Sequence, residues 1–405
     1  MAEEVWMLQT KKADFKQIGA RFRIDPVTAR IIRNRGIEGE AAIDRYLNGT
    51  LDDLYDPMLL KDMERAVSIL CEAVDTGKKI RIVGDYDIDG VCSTYILLQA
   101  FERLGSDVDF EIPDRIKDGY GINESIIEQA HADGVEVILT CDNGISAFHQ
   151  VELAKKYGMT VVITDHHEVP LDGEKEKIPP ADAVIDPKQA DCPYPFPEIC
   201  GAVVAYKLVQ VLYARRGVPQ MEWLDLLEFA AIATVGDVMK LQDENRILVK
   251  YGLKKMAQTK NLGLRRLAEK NNLDLGAITA YHIGFVIGPC LNAGGRLKTA
   301  KEALALLRAQ SEEEAERLAE ELKELNDTRK DMTEQGTEAA KLQVESWYQK
   351  DKVLVVFLPE CHESLAGIIA GRLREYYQKP AIVLTRGEEA VKGSGRSIDE
   401  YHMFK

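Results

Sequence analysis

No stretch of the chain strings together about 18 apolar residues, so no segment is suited to cross a bilayer as a helix. Cysteine is sparse: seven residues, at 71, 92, 141, 192, 200, 290 and 361, with no Cys-x-x-Cys pair. This excludes a zinc finger or a disulfide framework and predicts a reducing, cytoplasmic setting. The start of the chain, Met1 to Trp6, is acidic and lacks the order of a signal peptide. Neither a Walker P-loop nor a His-Glu-x-x-His pattern occurs. An excess of positive charge is also missing. Lys and Arg number 52 against 67 Asp and Glu, a net charge of −15, which excludes a protein that coats nucleic acid with a general basic surface. A nuclease is not excluded. Acids gathered as metal ligands are offset by the bound cations, and a basic groove can sit on an acidic protein.

With 405 residues and 45% hydrophobic content, the chain is long enough for two domains with real cores. Residues 1–75 read as a helical lead-in, with the arginines between Arg21 and Arg35 on a solvated face. From residue 76 strands and helices alternate. Ile80–Val83, Val108–Ile112, Val135–Thr140, Thr160–Thr164 and Ala183–Ile185 read as strands, and Val91–Leu104, Asn123–His131 and Ser146–Tyr157 as helices. The pattern predicts an α/β fold with a doubly wound, mostly parallel sheet over residues 76–305, closed by helices from Gly201 onward. Ser311 caps a long helix with Ala315, Leu318, Leu322 and Leu325 on one face, a connector over 306–350 weakened at Gly336. A smaller, incomplete α/β unit follows over 351–405, with a strand at Val353–Leu358, a helix at Leu365–Tyr376 and a strand at Ala381–Leu384.

Chemistry gathers at the strand ends, which a parallel sheet places along one edge. The first strand runs into Asp85, Asp87 and Asp89, the third into Asp142-Asn143-Gly144, and the fourth into Asp165-His166-His167. A further acid, Asp237, leaves an apolar helix at Gly236. Carboxylates mixed with imidazole suit Mn²⁺ or Mg²⁺ better than structural zinc, and two such ions are a standard means of cleaving a phosphodiester. Of two rival readings, the first fails and the second fits less well. An EF-hand loop needs Glu at its twelfth position, where Ile96 stands, and helices on both flanks. A haloacid-dehalogenase-like phosphatase fits Asp87-Ile-Asp89-Gly90-Val91 but leaves Asp165-His166-His167 unexplained.

Asp165-His166-His167, with Asp87-Ile-Asp89-Gly90, Asp142-Asn143-Gly144 and Gly236-Asp237, resembles the four motifs of the DHH phosphoesterase superfamily. Within it the chain most resembles the RecJ family of single-strand-specific DNA exonucleases. Ile112-Pro-Asp-Arg115, Gly119-Tyr-Gly121, Gly288 to Leu297, His362 to Arg372 and Lys392 to Ser397 carry that resemblance. It implies a metal-dependent 5′ to 3′ exonuclease that releases mononucleotides in DNA repair and recombination. Mn²⁺ or Mg²⁺ would be the cofactor, as two ions. Asp142 would bridge them, Asp87 would bind one, and Asp89, His166 and Asp237 the other. His167 would contact the scissile phosphate or activate water, and Asp165 would orient its neighbouring histidine. Arg115, Tyr120, Asn292, Arg296, His362, Arg372, Ser394, Arg396 and Ser397 would line the substrate path. His131, His149, His282 and His402 match no motif and read as structural or exposed.

Two departures from the family pattern stand out. Many members carry a histidine where this chain has Val83, so Asp85 or water would replace an imidazole at the first metal. The resemblance also implies a Gly-Gly-His motif and an OB-fold beyond Lys405, so the chain is read as a catalytic core without its C-terminal part. Expected partners are single-stranded DNA and a single-strand-binding protein or helicase, with a monomeric chain and no membrane. Two alternatives stay open: a DHH phosphoesterase for short oligonucleotides, adenosine bisphosphate or cyclic dinucleotides, and a RecJ-like scaffold subunit without activity.

Overall fold

The computed structural model describes residues 7–9, 11–116, 118–387 and 390–403; the acidic start, Met1 to Trp6, lies outside them. Five strands, β1 (Ile80–Val83), β2 (Val108–Glu111), β3 (Val137–Cys141), β4 (Thr160–Thr164) and β7 (Ala183–Ile185), form one sheet in the order β2-β1-β3-β4-β7. The two-residue strands β5 (Leu171–Asp172) and β6 (Lys175–Glu176) form a separate small hairpin. Every pairing in the large sheet is parallel. The central strands β1 and β3 are buried at every position, as unbroken apolar runs covered on both faces should be. One face packs against helices Ile88–Arg103, Gly201–Arg216 and Leu227–Gly236, and the other against Glu124–Ala132 and Phe148–Lys156.

Several local expectations shift. The first crossover helix begins at Ile88, not Val91, because Asp87 caps it: its Oδ1 accepts from the backbone N–H groups of Asp89 (2.9 Å) and Gly90 (3.2 Å). Asp89 therefore sits in a first helical turn instead of at a strand end. The stretch Trp223–Val235, which reads as one helix in sequence, is divided between helices Gln220–Leu224 and Leu227–Gly236. Gly288–Leu297, glycine-rich in sequence, is a helix that continues a π-helical turn, Ile283–Ile287.

The long helix Glu312–Gln343 starts on the Ser311 cap, whose Oγ accepts from Glu314 N at 3.2 Å. It runs through Gly336 without a break. A Cβ on Gly336 would stand 2.6 Å from Ile369 Cδ1, so the glycine lets a neighbouring helix approach. That neighbour, Ala366–Tyr377, packs on a second sheet of β8 (Leu354–Phe357), β9 (Ala381–Arg386) and β10 (Val391–Arg396). Its order is β10-β9-β8, with β8–β9 parallel and β9–β10 antiparallel. Sequence patterning missed β10, since two glycines within Val391-Lys-Gly-Ser-Gly-Arg396 mask its strand character. No helix among the described residues is long and apolar enough to cross a membrane.

Candidate metal centre and nucleic-acid interface

Parallel strand order brings the carboxyl ends of β1, β3 and β4 side by side. Asp85 follows β1, Asp142 follows β3, and Asp165, His166 and His167 follow β4. Asp142 adopts a left-handed backbone, φ 61°, a strained conformation for a non-glycine residue and one that clusters at functional sites. From across the rim, Asp237 at the end of helix Leu227–Gly236 brings its Oδ2 to 3.8 Å from His166 Nε2. The same nitrogen lies 3.1 Å from Asp142 Oδ1 and 3.4 Å from Asp89 Oδ2.

Three sets of donors result, each with ligand atoms within 4.8 Å of one another: Asp85, Asp87 and Asp142; Asp89, His166 and Asp237; and Asp142, His166 and His167. Asp142 belongs to two of them. Among the described residues, no lysine or arginine pairs with any of these five carboxylates. The electrostatics register the crowding. Burial and then the Asp87 charge push Asp85 up to about 7. Burial and then Asp89 push Asp237 up to about 7 and hold Asp142 well above the usual range. Oxygen and imidazole donors in surplus negative charge suit a hard divalent cation.

Neighbouring groups fix the donors. Asp89 accepts from Gly201 N and Ala202 N, both at 2.7 Å, at the start of helix Gly201–Arg216. Only glycine fits at 201, where a Cβ would stand 2.8 Å from Asp142 Cβ. Asn143 staples the rim: its Nδ2 donates to the carbonyls of Val83 (3.0 Å) and Cys141 (2.9 Å), and its Oδ1 accepts from Ile122 N (3.2 Å). Val83 itself is fully buried on the opposite side of the sheet from the main core, among Ile126, Ile138 and Ile163.

Asp165 faces inward. Its oxygens accept from Ile145 N (2.9 Å), His166 N (2.7 Å) and His167 N (3.2 Å), and Oδ1 lies 2.7 Å from His167 Nδ1. Burial alone would lower the His167 pKa, but the hydrogen bond and charge of Asp165 outweigh it and raise it to about 9. Tyr120 completes the chain: its hydroxyl donates to the Asp142 carbonyl (2.9 Å) and lies 3.0 Å from His167 Nδ1 and 3.2 Å from Nε2. Tyr120 thus braces His167 as well as facing the cleft. Sequence reading overlooked one acid of the same kind, Asp186, directly after β7. It is fully buried, pushed up to about 7 by burial and then Asp165, and its Oδ2 has no partner. The strand-end rule that found Asp142 would have found it.

Next to the rim, a polar cavity of about 280 Å³ opens between the sheets, lined by Arg115, Arg296, Ser364, Lys392, Ser394 and Arg396. The Arg115 guanidinium lies 4.7 Å from the Tyr86 ring centre, and Tyr86 meets Tyr120 edge-on at 6.4 Å. Arg296 donates to the Ser364 carbonyl at 3.0 Å, tying the helix Gly288–Leu297 to the second sheet. Burial, then Arg115 and Arg329, hold its guanidinium down at about 10.

Five sequence candidates fall outside this cavity, Tyr120 on His167 and four others. Arg372 lines a different depression with Glu334 and Glu338; it lies five residues after Gly367, a cavity residue, which turns it about 140° around their helix. Ser397 follows Ser394 and Arg396 with the opposite strand parity, and its Oγ accepts from Met403 N. His362 holds Ser364 Oγ at 2.7 Å but lines an apolar groove with Met332 and Leu358. Asn292 is half-buried on helix Gly288–Leu297 and does not line the cavity.

A strand-edge cluster of this composition on a parallel sheet is the hallmark of a DHH-type catalytic domain, and the family model described as "DHH family, N-terminal domain" matches residues 79–234. The chain is 35% identical to the single-stranded-DNA-specific exonuclease RecJ of Haemophilus influenzae over 401 residues, covering 95% of this chain and 68% of the relative. It is 36% identical to the Bacillus subtilis RecJ, covering 99% of this chain and 50% of that protein. The crystal structure of Thermus thermophilus RecJ in complex with Mn²⁺ superposes with a TM-score of 0.79 at 30% identity, over 95% of this chain and 53% of that one. The chain belongs to the RecJ family. It spans about half the length of the B. subtilis and T. thermophilus proteins.

Proposed function

We propose that the chain hydrolyses phosphodiester bonds of single-stranded DNA, from the 5′ end and to mononucleotides, with two divalent cations, Mn²⁺ or Mg²⁺. The reading rests above all on the paired donor sets that share Asp142. Solved relatives support the choice of metal, since the T. thermophilus protein has been determined in complex with Mn²⁺ and with Mg²⁺. In this reading Asp142 would serve both cations: Asp85 and Asp87 would hold one with it, Asp85 in place of an imidazole at Val83, and Asp89, His166 and Asp237 would hold the other. The cations would supply Lewis acidity at the scissile phosphate and lower the pKa of water. The chain's own groups do the rest. His167, tied through Nδ1 to Asp165, keeps a proton and a positive charge beside the phosphate. Arg115, Arg296, Ser394 and Arg396 bind the terminal phosphate and set the register of the strand. A monomeric chain that meets its substrate through a single-strand-binding protein or a helicase belongs to the same proposal.

The test is an end-labelled single strand incubated with Mn²⁺, next to a dinucleotide and a cyclic dinucleotide, with Asp142→Ala as control. Stepwise shortening from the 5′ end, absent in the variant, is expected. Turnover of the dinucleotides alone would overturn the single-strand reading.

A further inference from the structure

A small aromatic patch stands exposed beside the rim, and the chemistry described so far does not use it. Tyr281 is 64% exposed and Phe285 67%. Their rings stack on each other, with centroids 4.8 Å apart and planes 28° apart. Phe285 lies within the π-helical turn Ile283–Ile287, a local irregularity that recurs at functional sites. The turn is seated against the metal-binding elements. A Cβ on Gly284 would stand 3.7 Å from Val235 Cγ1, two residues before Asp237, and one on Gly288 would stand 3.3 Å from Ile88 Cδ1, between Asp87 and Asp89. The helix that continues from the turn carries Arg296 into the basic cavity, eleven residues and about 16 Å beyond Phe285.

Val238, immediately after Asp237, adds a second oddity. It closes its helix at φ 58°, donating to the Val235 carbonyl at 3.1 Å, in a position that favours glycine. A β-branched side chain there is strained, and it is 87% exposed. Burial therefore does not explain it.

We propose that Tyr281 and Phe285, with Val238, form a stacking platform for bases of the single strand beyond the two nucleotides that flank the scissile bond; this rests on the single-strand reading above. A net charge of −15 leaves little general attraction for a polyanion, so affinity beyond the cavity arginines must come from contacts that are not charged. Base–aromatic stacking is such a contact and tolerates any sequence. Three side chains make too small a patch for a stable protein interface.

The experiment is Tyr281→Ala/Phe285→Ala in the full chain with Mn²⁺, read on an oligo-dT 20-mer and on a dinucleotide. KM for the 20-mer should rise about 10- to 100-fold, while kcat/KM for the dinucleotide and the Tm stay unchanged. A 2-aminopurine strand should be quenched on binding the wild type and not on binding the double variant, and Tyr281→Phe/Phe285→Tyr should restore both readouts. Unchanged KM and unchanged quenching would overturn the platform, as would a dimer in solution that the double variant dissolves. If the wild type cleaves neither substrate, the reaction assigned above fails, and the fluorescence still decides the platform.

Discussion

At the sheet edge, Asp85, Asp87, Asp89, Asp142 and Asp237 crowd together around His166, and among the described residues no lysine or arginine pairs with them. Across Tyr86, Arg115 and Arg296 crowd together with Arg396 around an open cavity. Tyr86 feels both sides: burial raises its pKa first, Asp85 and Asp87 push the same way, and Arg115 and Arg296 push back. Elsewhere the chain holds a buried ion pair that is balanced internally. Lys207 and Glu244, both fully buried, pair at 3.0 Å, and Tyr194 adds a hydrogen bond to the same carboxylate. Internal pairing is how a fold tolerates buried charge. Among the described residues the rim acids lack a lysine or arginine partner, and in the cavity Glu363 pairs with Lys392 and leaves Arg115, Arg296 and Arg396 in surplus, so the two surpluses are of opposite sign. One is complementary to cations and the other to phosphate.

The largest effect should come from removing the acid shared by two donor sets. Asp142→Ala is expected to lower Mn²⁺-dependent hydrolysis by at least about 10³-fold, since both cation positions lose a ligand. Calorimetric titration should show Mn²⁺ affinity falling in step. The metal-free variant should melt at a higher temperature than the wild type, because one of five mutually repelling carboxylates is gone. A lower Tm together with unchanged Mn²⁺ binding would show that the rim is a structural network and not a metal centre.

The cavity should respond differently. Arg296→Ala and Arg396→Ala are expected to raise KM for a 5′-phosphorylated strand about 10- to 100-fold, the range for removing a charged partner of a phosphate. Mn²⁺ affinity should stay within twofold of wild type. Equal losses in metal and strand binding would erase the distinction between the two clusters.

A milder test uses pH. Asp85 and Asp237, both pushed up to about 7, have folded pKa values above the ordinary carboxylate value of 3.8. A raised folded pKa makes stability greatest below the unfolded value and loses it as pH rises through the folded one. Without metal, stability should therefore fall between about pH 4 and pH 8, by about 2–4 kcal/mol. Urea melts in EDTA measure it, and Mn²⁺ at pH 8 should reverse it. A flat EDTA profile would mean that the acids are not crowded in solution.

The rim was legible in the sequence because parallel strands turn a one-dimensional pattern into one edge. Acids one or two positions after Val83, Cys141 and Thr164 had to meet there. Asp237 came with its helix terminus, and Asp186 could have been read by the same rule. What the sequence left hidden depends on rotation and glycine. The Gly288–Leu297 helix and β10 are rich in a residue that disfavours both elements, so propensity argued against structure that tertiary contacts impose. The role of Tyr120 also stayed hidden, because no spacing says that its hydroxyl bridges His167 and the Asp142 carbonyl across 22 positions.

Arg372 and Ser397 supply the smallest expected effect and the sharpest limit on the cavity. Motif resemblance alone puts both on the strand path, alongside Ser394 and Arg396. Helical rotation turns Arg372 away from Gly367 toward Glu334 and Glu338, and strand alternation turns Ser397 away from Ser394 and Arg396. Neither makes an ion pair or hydrogen bond to a cavity residue: Ser397 Oγ accepts from Met403 N, and Arg372 is exposed. Exposed substitutions of this kind change stability by less than about 0.5 kcal/mol. Arg372→Ala and Ser397→Ala should each leave KM for a 5′-phosphorylated strand and kcat within about twofold of wild type, close to the roughly 2.3-fold that 0.5 kcal/mol represents. A tenfold rise in KM for Arg372→Ala would mean that the bound strand runs over the far face of helix Ala366–Tyr377, and the cavity would then be one contact among several instead of the phosphate site.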